Sequence, residues 1–569
     1  MRPSLIGIAA SNGIAFGKAY KLITPDLTFK KVTIKNSDEE INKFHSALLQ
    51  AHKELKRIRQ KMADKQGDEY AAIFDAQLLV LQDPEFISLV EEKINKEKIN
   101  AESALHDISE KYINELRQLH NEYMRERAID IKDVTTRILA HLLHQPLPHL
   151  ELITEETIII ANDLTPSDVA HMNSQHVKGI VTSIGGRTSH VSIMARSMEL
   201  PAVVGTETAA QTIENGDDII VDGNNGIIWI NPTSRIQKIY KQRQQDFQAE
   251  KLAWSLLKNK PTITRDQHQV ALVANISSSD EIENVLANGA EGIGLYRTEY
   301  LFMEKSTFPT EEEQFEVYKT VLKRMNDKPV VVRTLDIGGD KQLPYWNLPK
   351  EMNPFLGVRA IRLSLQEMDI FRTQLRALLR ASSFGNLKIM FPMIAVIDEF
   401  LQAKQVLLEE KQKLHDQGIR VEKNIEIGIM VEIPATALLA NQFAKEVDFF
   451  SIGTNDLIQY MFAADRLNEH VSYLYQPYHP AILRLIKLII DAAHDEGKWV
   501  GMCGEMAGDP NAIPLLLGLG LDEFSMGASS ILPARNHLKK LSKQDMEKLA
   551  QKALSLRTAN DVLKLVHEH

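Results

Sequence analysis

Three hydrophobic patterns succeed one another along this chain. The first residues carry short apolar runs broken by glycine, at 6–9 and 19–22, which predict a strand or two. From Ser37 the spacing changes. Phe44, Leu48, Leu55 and Ile58 recur at helical intervals, and the stretch 71–81 continues the pattern until Asp83-Pro84 breaks it. Further helices are predicted over 101–126 and 129–143, with Pro146 and Pro148 closing the block. This region has no glycine-rich loop and few catalytic side-chain types, and it reads as a helical bundle inserted into another fold. From Glu151 the pattern becomes α/β. Thr157-Ile158-Ile159-Ile160-Ala161 predicts a buried strand. Thr165-Pro166-Ser167-Asp168 predicts a helix start, with a cap, a proline at the first position and an acid at the third. Strands at 179–182, 202–204 and 218–221 follow, with Asp222-Gly223 and Asn225-Gly226 as turns. Residues 235–258 are charged and helical, either a linker helix or the last helix of the first half.

Beyond them, eight short apolar runs alternate with helical stretches: 270–276, 292–296, 330–334, 388–391, 426–431, 449–452, 499–502 and 523–526. Eight such units over about 300 residues fit a (β/α)8 barrel, a fold whose catalytic groups collect at the carboxyl ends of the strands. Polar residues fall at those ends. The second strand runs into Arg297-Thr298-Glu299, the third into Arg333-Thr334-Leu335-Asp336, and the fifth into Glu432. The sixth runs into Gly453-Thr454-Asn455-Asp456, and the seventh into Cys503-Gly504-Glu505.

Arg297 and Arg333 on neighbouring strands would clamp a dianion, since guanidinium suits bidentate phosphate contacts, and Arg466 would add a fork for a carboxylate. Glu432 and Asp456 are hard oxygen ligands of the kind that hold Mg²⁺ together with substrate oxygens; pairing with the arginines is their other role, and the two are compatible. Such a site stabilises charge developing in phosphoryl transfer and calls for a small ligand that is phosphorylated and carboxylated. A lone cysteine is more often an inert buried residue, but the position of Cys503 makes it a candidate proton donor, with Glu505 a weaker one.

Composition narrows the class. With 569 residues the chain has room for three or four domains, taking about 100–200 residues each. Its 44% hydrophobic and 25% charged residues are those of a globular protein, and a single cysteine excludes an internal disulfide framework and fits a reducing compartment. No signal peptide or membrane span is predicted, so the expected location is cytoplasmic. A net charge of −10 argues against nucleic acid as the main partner and permits a basic protein partner.

The run Gly185-Gly186-Arg187-Thr188-Ser189-His190 carries a second chemistry. It sets a histidine after a glycine turn at the start of a helix predicted over 191–198, where unpaired N–H groups suit a phosphate. Ser189 and Thr188 add hydroxyls, Arg187 and Arg196 add charge, and the imidazole is a nucleophile able to carry a phosphoryl group. A helix-capping turn with an incidental histidine is the plainer alternative.

Taken together these residues resemble the enzyme I family of phosphoenolpyruvate-utilising enzymes from the bacterial sugar phosphotransferase system. The resemblance runs from Gly7-Ile8-Ala9-Ala10-Ser11 to the C-terminus. It is carried by two long signatures, residues 185–205 with Met194-Ala195-Arg196-Ser197 and residues 448–460 with Ser451-Ile452-Gly453-Thr454-Asn455-Asp456-Leu457. It implies a phosphohistidine α/β domain at 1–30 and 146–230, a helical HPr-binding subdomain at 31–145, a linker helix at 231–262, and a phosphoenolpyruvate-binding, dimer-forming (β/α)8 barrel at 263–569. It further implies that His190 takes the phosphoryl group of phosphoenolpyruvate at Nε2 and passes it to a histidine of the carrier HPr. Arg297, Arg333, Asn455, Asp456 and Arg466 would bind substrate, Glu432 and Asp456 would bind Mg²⁺, and Cys503 would protonate the enolpyruvate carbon to give pyruvate. Glu69, Asp83 and Glu85 would contribute to the HPr face, or be ordinary solvated helix charges. Val191 departs from the family, which commonly has threonine there. Two rival readings remain to be weighed. One is an ATP-linked relative such as pyruvate phosphate dikinase or phosphoenolpyruvate synthase, for which an ATP-grasp region is missing. The other is a catalytically silent binding protein.

Overall fold

The structure is a computed structural model. It describes residues 4–569 apart from 23–26, 67–73, 75–76, 119–121, 146–149, 151–152, 154, 165–167, 169–171, 173–175, 187–188, 199, 304, 306, 340, 342, 344, 347, 350, 467 and 469. The chain divides into two compact units, residues 1–250 and 251–569.

The first unit is built on an eight-stranded sheet. Its strands are β1 (Leu5–Ile6), β2 (Ile8–Ser11), β3 (Ile14–Lys21), β4 (Thr157–Ala161), β5 (Val177–Thr182), β6 (Ala202–Val204), β7 (Asp218–Asp222) and β8 (Ile227–Ile230), in the order β1-β8-β7-β3-β4-β5-β6-β2. Strands β3 to β6 are parallel and the outer pairs antiparallel. β4 reads as an unbroken apolar run because both its faces are covered. Ile159 and Ala161 pack into one cluster with Ile180 and Val204, while Ile158 and Ile160 pack into another with Val181 and Val221. The first apolar run, read as broken by glycine, is split at Gly7. A Cβ there would lie 2.6 Å from the Val204 carbonyl, so only glycine lets the chain pass that close.

Between the paired strands β3 and β4 the chain leaves the sheet for a helical bundle: α1 (Ser37–Gln66), α2 (Pro84–Glu97), α3 (Ala101–Gln118) and α4 (Glu122–Leu142). Its core joins Phe44, Leu55 and Ile58 of α1 to Phe86, Val90 and Ile94 of α2, Leu105 of α3 and Val134 and Ile138 of α4. The break expected between 126 and 129 is not found, since α4 runs through those positions; residues 119–121 lie outside those described. The predicted helix start at 165–168 lies largely outside them too. After β8 the chain enters a long helix, Ser234–Ser255.

The second unit is a closed barrel of eight parallel strands: β9 (Ala271–Ile276), β10 (Ile293–Arg297), β11 (Val330–Arg333), β12 (Leu387–Phe391), β13 (Glu426–Val431), β14 (Phe449–Ile452), β15 (Trp499–Met502) and β16 (Glu523–Met526). The fold is therefore the expected mixed α/β chain with a (β/α)8 barrel. Strand side chains alternate between two clusters. Val330 and Val332 pack with the helices, whereas Val331 joins Leu295, Met390, Met430, Phe449 and Cys503 in the interior. At the amino ends of the strands, Trp499 stacks on Phe449 at 4.5 Å and its Nε1 donates to Glu426 at 2.8 Å, beside Lys388 and Glu523. The carboxyl ends are left to the polar groups.

Candidate functional site

Arg297 and Arg333 end β10 and β11 as register partners, so the parallel ladder sets the two guanidinium stems side by side. Arg333 is 5% exposed and pairs with Glu299, and its Nη2 lies 3.1 Å from Asp336. Lys341 Nζ reaches Glu299 at 2.8 Å and Asp336 at 3.3 Å. Arg359 donates from Nη2 to both Asp336 oxygens at 2.9 and 3.2 Å, while its Nη1 lies 3.4 Å from Asp456. Burial opposes ionisation of Glu299 and Asp336, but the surrounding cations outweigh it and hold both carboxyls below their usual range. The same ion pairs keep Arg333 and Arg359 charged against burial.

Glu432 follows β13 directly, in a different environment. It is 1% exposed and its Oε1 accepts the Met393 amide at 2.7 Å. Burial pushes its pKa up, and the charges of Asp456 and Asp336 push it further, to about 8, against the pull of Arg333 and Arg359. Met393 holds that amide in place at φ +57°, and Ala360, next to Arg359, sits at φ +52°. Both are costly conformations for residues with a Cβ, of a kind that clusters at functional sites. Among the described residues, no group of three or more His, Cys, Asp or Glu forms a ready-made cation site. A carboxyl kept neutral by burial and by neighbouring carboxylates is nevertheless one that a cation would ionise. Glu432 and Asp456 thus suit a metal that completes its shell with ligand oxygens and water.

The helix Thr454–Phe462 follows β14 directly and places Asn455 and Asp456 in its first turn, where Asn455 Oδ1 accepts the Glu505 amide at 3.1 Å. Cys503 follows β15, 4% exposed, with its amide bonded to the Ile452 carbonyl at 3.1 Å. Burial pushes the thiol up to about 11, while a hydrogen bond from Ser451 and the charges of Arg333 and Arg297 pull it down. Arg466 lies in the loop after the helix, where its charge, with those of Glu505 and Asp456, bears on the half-buried Tyr475 hydroxyl. The barrel residues Arg297, Arg333, Glu432, Asn455, Asp456, Arg466, Cys503 and Glu505 thus lie at one end of one barrel. Sequence reasoning missed Arg359 and Lys341, which stand in loops rather than at strand ends. The close packing of Gly338 against Arg359 links those loops but has no short motif. Five atoms there are buried and make no hydrogen bond within the protein: Arg333 Nε, Arg359 Nε, Glu299 Oε2, Thr334 Oγ1 and Thr454 Oγ1. Natural interiors rarely leave polar atoms so, and the cluster marks a place shaped for a polar ligand.

The histidine turn belongs to the first unit. After β5, Gly185 takes φ +116°, and Ser189 caps an eight-residue helix, α5 (His190–Ser197). Ser189 Oγ donates to the Gly186 carbonyl at 2.9 Å, as does Ser192 Oγ at 2.6 Å, so the Ser189 hydroxyl expected to face a phosphate is part of the cap. Arg196 donates to the Ala10 carbonyl of β2 at 2.9 Å. Val191, 3% exposed, packs with Ile159, Ile180 and Val204, which gives an apolar side chain a place at this position. Arg187, Thr188 and the His190 side chain lie outside the described residues, as does Glu69. Asp83 caps α2, its Oδ1 accepting the Glu85 amide at 2.9 Å, and both residues are exposed.

Comparison with known proteins covers both units. Residues 6–127 match the PEP-utilising enzyme, N-terminal family, residues 153–226 the mobile domain, and residues 251–543 the PEP-binding domain. The chain is 60% identical over 560 residues to the phosphoenolpyruvate-protein phosphotransferase of Geobacillus stearothermophilus, covering 98% of this chain and 97% of that one. It is 59% identical over 564 residues to that of Bacillus subtilis (strain 168), covering 99% of each. A solution structure of Enzyme I aligns with 43% of this chain and 99% of its own, at 40% identity and a TM-score of 0.41.

Proposed function

The chain belongs to the phosphoenolpyruvate-protein phosphotransferase family of PEP-utilising enzymes, and from that membership we propose that it moves the phosphoryl group of phosphoenolpyruvate through His190 to a histidine of HPr, releasing pyruvate. The observation that carries this reading is the barrel mouth, where buried guanidiniums with unpartnered Nε atoms adjoin the carboxyl groups of Glu432 and Asp456 and a thiol whose pKa burial raises. Arg297 and Arg333 grip the phosphate, with Asn455 beside them, and Arg466 takes the carboxylate. Neutral Nε2 of His190 attacks phosphorus, the N–P bond forms, and the bond to the enol oxygen breaks. The departing enolate takes its proton at carbon from Cys503, whose raised pKa keeps the thiol protonated at neutral pH. Glu432 and Asp456 would hold Mg²⁺, which when bound supplies positive charge to the phosphate and enolate oxygens. Phospho-His190 then gives its phosphoryl group to the HPr histidine, and the imidazole returns neutral.

The same reading makes the chain a cytoplasmic homodimer joined through the barrel; among the described residues no helix is long and apolar enough to cross a membrane. The deciding experiment is incubation with radiolabelled phosphoenolpyruvate and Mg²⁺ beside a His190→Ala variant. Acid-labile, base-stable label is expected on the native protein alone and should move to added HPr. Label from ATP would favour a dikinase, and no label from either donor would leave only a binding role.

A further inference from the structure

We infer that Gln374, remote in sequence from the strand ends it touches, is a positioning residue for the arginine clamp, an assignment that rests on the barrel mouth being the phosphoenolpyruvate site. Gln374 lies on the helix Met368–Ala381 and is 1% exposed. Its Oε1 accepts the Leu335 amide at 2.9 Å, just past the end of β11. Its Nε2 donates to Thr298 Oγ1 at 3.1 Å, just past the end of β10, and to the Tyr318 hydroxyl at 3.3 Å. Thr298 Oγ1 in turn donates to the Arg333 carbonyl at 2.9 Å. The Tyr318 hydroxyl donates to Gln314 Oε1 at 3.1 Å, and Gln314 Nε2 donates to the Pro309 carbonyl at 3.0 Å. Each amide group of Gln374 is therefore used, and its partners Thr298, Leu335 and Tyr318 are no more than 3% exposed.

The two backbones joined by this amide carry Arg297 and Arg333. Residue 298 follows the first, and residue 335 lies two beyond the second and adjoins Asp336, the carboxylate that orients Arg359 and Lys341. The β10–β11 ladder registers the strands only as far as Arg297 and Arg333 themselves. Beyond that pair the two backbones are joined by Gln374 and Thr298, alongside the ion pairs that Glu299 makes with Arg333 and Lys341. These groups are buried, so losing the amide leaves the Leu335 N–H without its acceptor and the Thr298 oxygen without its donor. The clamp then loosens although every ligand-binding side chain is still present. Small displacements of positioning groups weaken a site in this way.

The test is the rate of phosphoenolpyruvate-dependent labelling of Gln374→Met and Gln374→Glu, with the native protein in parallel and folding checked by circular dichroism. The methionine variant fills the space without hydrogen bonds, and its KM for phosphoenolpyruvate is expected to rise five- to tenfold, with a smaller change in kcat. The glutamate variant restores the Leu335 contact, and when protonated it donates once to Thr298. Its KM should therefore return towards the native value as pH falls, a pH profile absent from both other proteins. Should the methionine variant fail to fold, Thr298→Val, which removes this hydroxyl's bonds to both Gln374 and the Arg333 carbonyl, is expected to raise KM in the same direction. Folded variants with native KM and no pH-dependent rescue would overturn the assignment. A native protein that takes no label would instead overturn the reading of the site itself.

Discussion

Arg359 donates to both oxygens of Asp336 and faces the partly exposed Asp456 with its other nitrogen, and the Arg359–Asp336 pair itself is buried. Truncating one partner of a buried charge pair leaves the other uncompensated, which costs about 3–5 kcal/mol. Arg359→Met is therefore expected to lower stability by about that amount in chemical unfolding and to weaken phosphoenolpyruvate-dependent labelling; an unchanged unfolding midpoint would refute the account. Nothing in the sequence around this residue announces the role. Arg333 was legible because a strand ends on it, whereas Arg359 reaches the same cluster from a loop, through a turn at Ala360 that only tertiary packing holds at positive φ. Ser189 shows the opposite case, a residue singled out for chemistry whose hydroxyl the structure commits to capping.

Among elements, the turn from β15 into Cys503-Gly504 shows how closely the mouth is built. A Cβ on Gly504 would stand 2.7 Å from the Thr454 amide nitrogen, at the start of the helix that carries Asn455 and Asp456. The Gly504 backbone angle is ordinary (φ −75°), so the obstacle is space alone. Gly504→Ala should push that helix outward and lower labelling from phosphoenolpyruvate at least tenfold, with barrel secondary structure intact by circular dichroism; native activity would refute it. The elements themselves were largely readable. Glu426–Val431, Phe449–Ile452, Trp499–Met502 and Glu523–Met526 stand where the apolar runs place them, because a strand buried on both sides writes itself as a continuous hydrophobic stretch. The break between α3 and α4 was not, since helical periodicity continues across it with no glycine or proline to mark it.

For the molecule as a whole, the end of the barrel remote from the site governs a pH dependence. Glu523 opens β16 at 9% exposure, and burial raises its pKa from 4.5 to about 7. Lys388 pulls it down, while Glu426, Asp522 and Glu291 push it further up. The folded state holds this proton more tightly than the unfolded one, so its stabilising effect is complete below pH 4.5 and is lost as pH rises through about 7. Glu523→Gln keeps the neutral form at every pH. Its melting temperature should match the native protein near pH 4.5 and exceed it by a few degrees at pH 8. Equal melting temperatures across that range would refute it. At this scale the division between sequence and structure is clear. Periodicity determined a barrel and an inserted bundle, and the polar residues at strand ends, with Arg466 in the loop beyond the sixth, named the candidates Arg297, Arg333, Glu432, Asn455, Asp456, Arg466 and Cys503, because strand alternation and burial are local properties of the chain. The lattice of Arg359, Lys341, Glu299 and Asp336, the neutral state of Glu432 and the crosslink through Gln374 were decided only by the tertiary structure. Each depends on which charges and amides meet inside the fold, far apart in sequence, where the low dielectric sets protonation and strength.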